Sequence, residues 1–392
     1  MDKNLLIAGG GIGGLAAALA SARAGWQVDL LEQSPVFGEV GAGIQLGPNV
    51  VKVLRALGVG DALARVVAFP SQLEVRNATS TELLGVLPLG KVAEQRYGAP
   101  YVTIARADMH NVLLEAVRAQ GGVGLHLDAR VLAVRQDEQG VQVETVQDQR
   151  LEAPLLVGAD GLWSQVRKQV LEQDVPPRVT GHLAFRAMLP QSALPVPLRT
   201  QVVTAWMGPD FHAVHYPVRS GEWLNMVCIV HGKVSGDPQS WDHSANAQEL
   251  RSRMAQARGA LRDMLYAIDQ WRLWPLCDRP PMASAAEHAK GRIALLGDAA
   301  HPMRPYLAQG AGMAIEDAAA LAACISELPG QVPLALARYA AMRWQRNARV
   351  QARAIRNGQI YHLKGYKQVG RDLALKALGP RLMDVPWLYN GP

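Results

Sequence analysis

Leu5-Leu6-Ile7-Ala8-Gly9-Gly10-Gly11-Ile12-Gly13-Gly14 runs an apolar strand into Gly-x-Gly-x-x-Gly, and Leu15-Ala16-Ala17-Ala18-Leu19-Ala20 continues it as a helix start. Strand, glycine turn and helix in that order are a dinucleotide fingerprint. Gly9 permits the tight turn, and Gly11 lets the main chain approach a pyrophosphate. Gly14 lets the helix pack closely on the strand, so that its N-terminus faces anionic phosphate. A second strand, Gln27-Val28-Asp29-Leu30-Leu31, ends at Glu32. A carboxylate there accepts hydrogen bonds from a ribose diol and repels an added ribose phosphate. The motif alone does not separate FAD from NAD.

Two later segments repeat the theme of a short apolar strand ending in glycine. Gly158-Ala159-Asp160-Gly161 follows Leu155-Leu156-Val157, and Gly297-Asp298-Ala299-Ala300-His301-Pro302 follows Ile293-Ala294-Leu295-Leu296. At each, backbone must come close to something else.

At 392 residues the chain can bury a substantial core and divide into lobes. Apolar residues at 49% indicate a globular composition without a disordered tract. The net charge of +6 is spread along the chain, and no aromatic interleaving suggests a nucleic-acid surface. Arg343, Arg346, Arg349, Arg353 and Arg356 recur at helical spacing and read first as a solvated helix face. Cys228, Cys277 and Cys324 are widely spaced in apolar contexts, which suits reduced core residues of a cytoplasmic protein. No metal-ligand spacing is visible, and no metal is expected. The apolar N-terminus reads as the first strand and not as a signal peptide, and no apolar run is long enough to span a bilayer.

Strand and helix signals alternate to about residue 170, with helices expected over Asn49 to Leu57 and Arg106 to Ala119. From about 175 to 280 prolines cluster. Strand-like runs appear there at Leu183-Leu189, Gln201-Met207, Phe211-Val218 and Trp223-Val230. The fold class expected is α/β: a Rossmann-like nucleotide lobe with an inserted, mostly antiparallel sheet lobe and C-terminal helices. The expected division is 1–174, 175–280 and 281–392.

The three glycine motifs in this order, with Ser164 and Arg167 behind the second, resemble the single-component FAD-dependent aromatic monooxygenases. Salicylate, 3-hydroxybenzoate and 6-hydroxynicotinate hydroxylases are the nearest in kind. Gly41-Ala42-Gly43-Ile44-Gln45-Leu46-Gly47-Pro48-Asn49, Arg106-Ala107-Asp108, Gly208-Pro209 with His212 and Tyr216-Pro217, and Val385-Pro386-Trp387-Leu388-Tyr389 extend the likeness over almost the whole chain. The resemblance implies that Asp298 reaches the ribityl and pyrophosphate region of FAD and that Arg106 contacts the cofactor. It also implies that the helix opening at Gln309-Gly310-Ala311 points its positive end at the flavin. Asp160 and Arg167, by the same likeness, link the flavin phosphates to the approach of the pyridine nucleotide. With a single Gly-x-Gly-x-x-Gly taken by FAD, NADH or NADPH is expected to bind only transiently.

The implied chemistry is hydroxylation of an electron-rich ring by a flavin C4a-hydroperoxide formed from NAD(P)H and dioxygen. A phenol reacts far better as phenolate, so a base is needed near its hydroxyl. Strand alternation puts His212, Val214 and Tyr216 on one face and Ala213 and His215 on the other. His212 is therefore the expected base, with Tyr216 beside it, because both match positions that the resembling hydroxylases use at the substrate. Pro305, Tyr306 and Leu307 fall in the loop that by resemblance lines the substrate side of the flavin. Arg304 is an unusual charge in that loop, read equally as a clamp for a substrate carboxylate or as a solvent-facing side chain.

Some departures bear on the substrate. Gln45 stands where some 6-hydroxynicotinate hydroxylases carry histidine, and Pro305 where some 3-hydroxybenzoate enzymes carry glutamine. Two other classes share parts of this pattern. Trp271-Arg272-Leu273-Trp274-Pro275 superficially suggests a flavin halogenase, at the wrong spacing. A non-catalytic FAD-binding electron carrier would need no His212–Tyr216 face. The expected partners are a small aromatic acid or phenol, dioxygen and NAD(P)H, with no nucleic acid and no integral membrane association; a homodimer is left open.

Overall fold

The computed structural model describes residues 3–38, 42–171, 174–233, 236–239 and 245–391; Gly41 of the resembling segment lies outside them. The first lobe is built on a six-stranded sheet. Its order is Ala289–Lys290, Ile293–Leu295, Leu156–Gly158, Asn4–Ala8, Gln27–Leu31 and Val123–His126, parallel except for the first pair. Strands roughly 150 residues apart in sequence become neighbours here. Ala8 pairs with Gly158, and Gly158 with Leu295, so the three glycine motifs leave the sheet from one row at its carboxyl edge. That edge is where open parallel sheets bind ligands.

The central strands are largely apolar because both faces of the sheet are covered. The small-residue helix Ile12–Arg23 packs against Gly310–Glu327, and Val332–Tyr361 lies along the latter. An antiparallel sheet of Val131–Gln136, Val141–Thr145 and Arg150–Ala153 covers the other face.

The second sheet has seven strands in the order Arg272–Asp278, Arg178–Pro190, Trp223–His231, Phe211–Val218, Val203–Gly208, Gln72–Asn77 and Leu83–Pro88. All pairs are antiparallel save Val203–Gly208 with Gln72–Asn77. Its last two strands come from residues 72–88, inside the stretch that sequence alone gave wholly to the nucleotide lobe. The alternation Gln72-Leu73-Glu74-Val75-Arg76 was the available signal. One face of this sheet packs Phe185, Phe211, Ala213 and Trp271 against the helices Ala247–Arg253 and Gly259–Ala267. The other face carries the site.

Candidate active site

The glycine loop is fixed by sterics. Gly9 sits at φ +107°, and a Cβ there would stand 2.4 Å from the Ala159 carbonyl oxygen. A Cβ at Gly14 would stand 1.8 Å from the Gly9 carbonyl oxygen, so neither position admits a side chain. The Glu32 carboxylate meets the loop, accepting the Gly10 N–H at 2.7 Å and the Ser34 N–H at 2.8 Å. Buried His110 holds the same loop from behind, 2.9 Å from the Gly10 carbonyl. Sequence reading passed over His110 because a lone histidine on a helix carries no motif.

Asp298 is exposed at the end of its strand, with its Oδ1 4.0 Å from where a Gly310 Cβ would stand. Carboxylate and helix N-terminus thus share one corner. Gln309 caps that helix, and its Oε1 accepts from Asn49 Nδ2 at 3.2 Å. Gly310 and Ala311 form the first turn, and Arg106 opens its own helix with its N–H on the Ala42 carbonyl at 3.1 Å. The side-chain-free loop, the carboxylate at the second strand's end and the converging helix N-termini fit an FAD laid across the carboxyl edge of the sheet.

Asp160 and Arg167 both anchor the second glycine loop. Asp160 accepts from the Ser164 hydroxyl and from the Gln165 and Val166 N–H groups at 2.8 and 3.1 Å. Burial raises its pKa, and those hydrogen bonds oppose the rise. Arg167 is buried, paired with Asp174 at 3.0 Å, and donates to the Leu162 and Ala299 carbonyls. It ties the second glycine loop to the third and is withdrawn from any nucleotide outside.

On the sheet, the expected face is present: cross-strand partners share a face, and the rows read Ala184–Ile229–His212, Arg186–Val227–Val214 and Met188–Asn225–Tyr216. His212 is buried, and its Nδ1 lies 2.7 Å from His362 Nε2, which leaves its Nε2 outside that contact. Burial, with His362 and His182 adding to it, holds its pKa well below the usual histidine value, so the ring is neutral. Tyr306 stands edge-on to it, with ring centroids 5.0 Å apart. Tyr216 is held protonated by burial, against the opposing effects of Arg186 and a hydrogen bond from Gln45. Gln45 also accepts the Tyr101 hydroxyl at 2.6 Å, and so bridges two tyrosines.

The residue that sequence missed is Arg186. It lies on this face two residues from Ala184, its Nε has no hydrogen-bond partner, and it stacks on Trp274 at 5.0 Å. Burial lowers its pKa to about 10, with Arg106 adding repulsion, and no carboxylate among the described residues pairs with it. An arginine within a strand carries no signal of its own; only the pairing register places it in the site.

Arg304 meets neither expectation. Its Nε is 2.7 Å from Asp278 Oδ2, an ion pair that pins the loop to the edge strand Arg272–Asp278. The neighbouring Pro305 is exposed at the loop's tip. His301 is buried on Asp317, in the structural role of holding the loop. The tryptophan pair divides: Trp271 packs in the far-side core with its indole N–H on the Ile268 carbonyl at 3.0 Å, and Trp274 serves as the platform for Arg186. The helix Val332–Tyr361 likewise corrects the solvated-face reading, because Arg343 is buried between Glu316 and Asp317 at 2.9 and 2.8 Å. Arg346 reaches Glu316 at 2.7 Å, whereas Arg349 and Arg356 remain exposed.

Comparison with known proteins agrees with this geometry. A family model described as an FAD binding domain matches residues 2–354. The chain is 37% identical over 392 residues to a 3-hydroxybenzoate 6-hydroxylase of Polaromonas naphthalenivorans, covering 99% of this chain and 96% of that protein. It is 36% identical over 318 residues to a 6-hydroxynicotinate 3-monooxygenase of Bordetella bronchiseptica, covering 81% of each. Among solved structures, a salicylate hydroxylase substrate complex superposes with a TM-score of 0.83 at 27% identity, covering 99% of this chain and 95% of that one.

Proposed function

The chain belongs to the FAD binding domain family and, within it, to the FAD-dependent aromatic-ring monooxygenases, and from that premise we propose that its substrate is a small hydroxylated aromatic acid of the salicylate or 3-hydroxybenzoate kind. FAD is the cofactor, with NAD(P)H and dioxygen as co-substrates. No helix among the described residues is long and apolar enough to cross a membrane; a cytoplasmic setting fits the free thiols of Cys228, Cys277 and Cys324.

The observation that carries the substrate class is Arg186, a guanidinium without a carboxylate on the face that also bears a neutral imidazole and a protonated phenol. A buried cation left uncompensated is costly unless a ligand supplies the anion. We assign the ring's carboxylate to Arg186 and its hydroxyl to His212 Nε2, where neutral imidazole accepts the proton and makes the ring a better nucleophile. Tyr216, oriented by Gln45, donates to the bound substrate. FAD, when bound, supplies the reduction and the oxygen activation. Gly9, Gly11, Gly14 and Glu32 would hold its adenosine and pyrophosphate, and Arg106, Asp298 and Gln309 to Ala311 the flavin end. Half-exposed Asp160, which orders its own loop, would stand at the phosphate side.

The experiment is a panel of hydroxybenzoates, hydroxypyridine acids and the matching phenols, scored for stimulated NADH oxidation with product identification. Hydroxylated acid, with the phenols turned over poorly, is expected. Equal turnover of phenol and acid would remove the carboxylate from the recognition scheme.

A further inference from the structure

Beyond His212 the same sheet face ends in a second group of imidazoles. His182 and His231 are direct cross-strand partners, with ring centroids 4.4 Å apart. His362, at the C-terminus of the helix Val332–Tyr361, closes the triangle at 5.3 Å from the first ring and 5.2 Å from the second. Each ring offers one nitrogen within 4.8 Å of the other two, and His231 Nε2 lies 3.3 Å from His362 Nδ1. Zinc-type ions bind imidazole nitrogen at about 2.0–2.1 Å in tetrahedral sites, which sets ligand nitrogens roughly 3.3 Å apart. We propose that His182, His231 and His362 form a binding site for one divalent transition-metal ion of the zinc or cobalt kind.

Several features favour a ligand set over ordinary ring packing. Burial and mutual repulsion keep His182 at about 4 and His362 at about 3, so both are neutral and ready to coordinate at neutral pH. When His362 Nδ1 holds the ion, its Nε2–H donates to His212 Nδ1, the supporting hydrogen bond that metal-bound histidine ordinarily has; His212 Nε2 then carries its own proton, so a bound ion and the base role of His212 exclude each other. Exposed His231 gives an entry path. Asp210 lies near enough for its charge to act on His231 and His362, although it is paired with Lys364 Nζ at 2.9 Å. Of the nearby cations, Arg304 shares Asp278 with Arg178, and Lys364 is held by Asp210. A second trio, His288, His301 and Asp317, is filled by contrast: Arg343 already sits on Asp317, and both His288 nitrogens are engaged by Leu295 and Asn347.

The test uses tag-free holoprotein titrated with Co²⁺ and, separately, with Zn²⁺ against a chromophoric chelator. One equivalent should bind, with visible d–d absorption of four-coordinate cobalt at wavelengths above the flavin band. His231→Ala and His182→Ala should each abolish that absorption. His212→Ala, which removes only the supporting contact, should weaken binding by roughly tenfold to a hundredfold. FAD content and melting temperature serve as fold controls, and His126→Ala, far in the first sheet, should bind like wild type. Absence of the cobalt spectrum, or an undiminished equivalent in His231→Ala, overturns the proposal. The test makes no use of hydroxylation, so its failure leaves the substrate reading untouched.

Discussion

Two arginines, one buried and one half-buried, divide this molecule by function. Arg343 sits under the helix Gly310–Glu327 between Glu316 and Asp317, reinforced by Arg346 on Glu316 and by Asn347 on Asp317. Burial opposes the Asp317 charge, yet His301 and Arg343 hold that carboxyl well below its usual range. Arg186, on the sheet face, has an aromatic platform and no counter-charge among the described residues. The first arrangement closes on itself and locks Gly310–Glu327 to Val332–Tyr361. The second is the one that the proposed substrate carboxylate would compensate.

The largest effect expected from this contrast is on folding. Arg343→Met removes the cation that Glu316 and Asp317 share, leaving Arg346 on the first and His301 with Asn347 on the second, and should cost about 3 kcal/mol in chemical denaturation. A midpoint equal to wild type would show that the network is not the lock described.

Arg186→Gln should have the opposite profile. The variant keeps or gains stability because an unpaired cation is removed, while kcat/KM for an aromatic acid falls on the order of a thousandfold. The matching phenol should lose far less. If acid and phenol fall equally, Arg186 positions the flavin or the sheet and does not read the carboxylate.

Third comes His212→Ala, for which hydroxylation should slow on the order of a hundredfold. FAD binding should survive and NADH oxidation should drain into hydrogen peroxide, measured as product formed per NADH consumed. Wild-type coupling would make His212 structural and pass the proton to Tyr216 or to water.

The smallest effect concerns the opposite face of the same strand. His215 is buried with both ring nitrogens unpartnered, and burial, with Arg76 adding to it, lowers its pKa to about 4. The unfolded chain takes up this proton first as pH falls. The stability it contributes is therefore present above about 6.5 and is lost progressively down to about 4. His215→Leu should raise stability by about 1 kcal/mol at pH 7 and by more at pH 5, seen as a flatter profile of melting temperature against pH. A profile parallel to wild type would mean that the imidazole is solvated or paired in solution.

Much of the site was legible in the residues. Gly9, Gly14 and Glu32 could be read because their roles are steric and local: a turn, a helix start and a strand end within thirty residues. The shared face of His212 and Tyr216 was legible because alternation in a strand is fixed by the backbone. Arg304 was misjudged because its partner Asp278 lies on another element, and Arg343 and Arg346 because helical spacing gives a common face but not what covers it.

Sequence by itself thus determined the nucleotide edge and the shared face of His212 and Tyr216, since each follows from short-range geometry along the chain, and its family resemblance pointed to FAD. Only the tertiary structure decided the rest. It set Leu156–Gly158 and Ile293–Leu295 beside Asn4–Ala8, added residues 72–88 to the second sheet, and placed Arg186 without an anion. It also gathered His182, His231 and His362 from positions up to 180 residues apart. Charge compensation and ligand geometry depend on distances across strands and between layers, and sheet register and helix packing, unlike residue order, are what fix those distances.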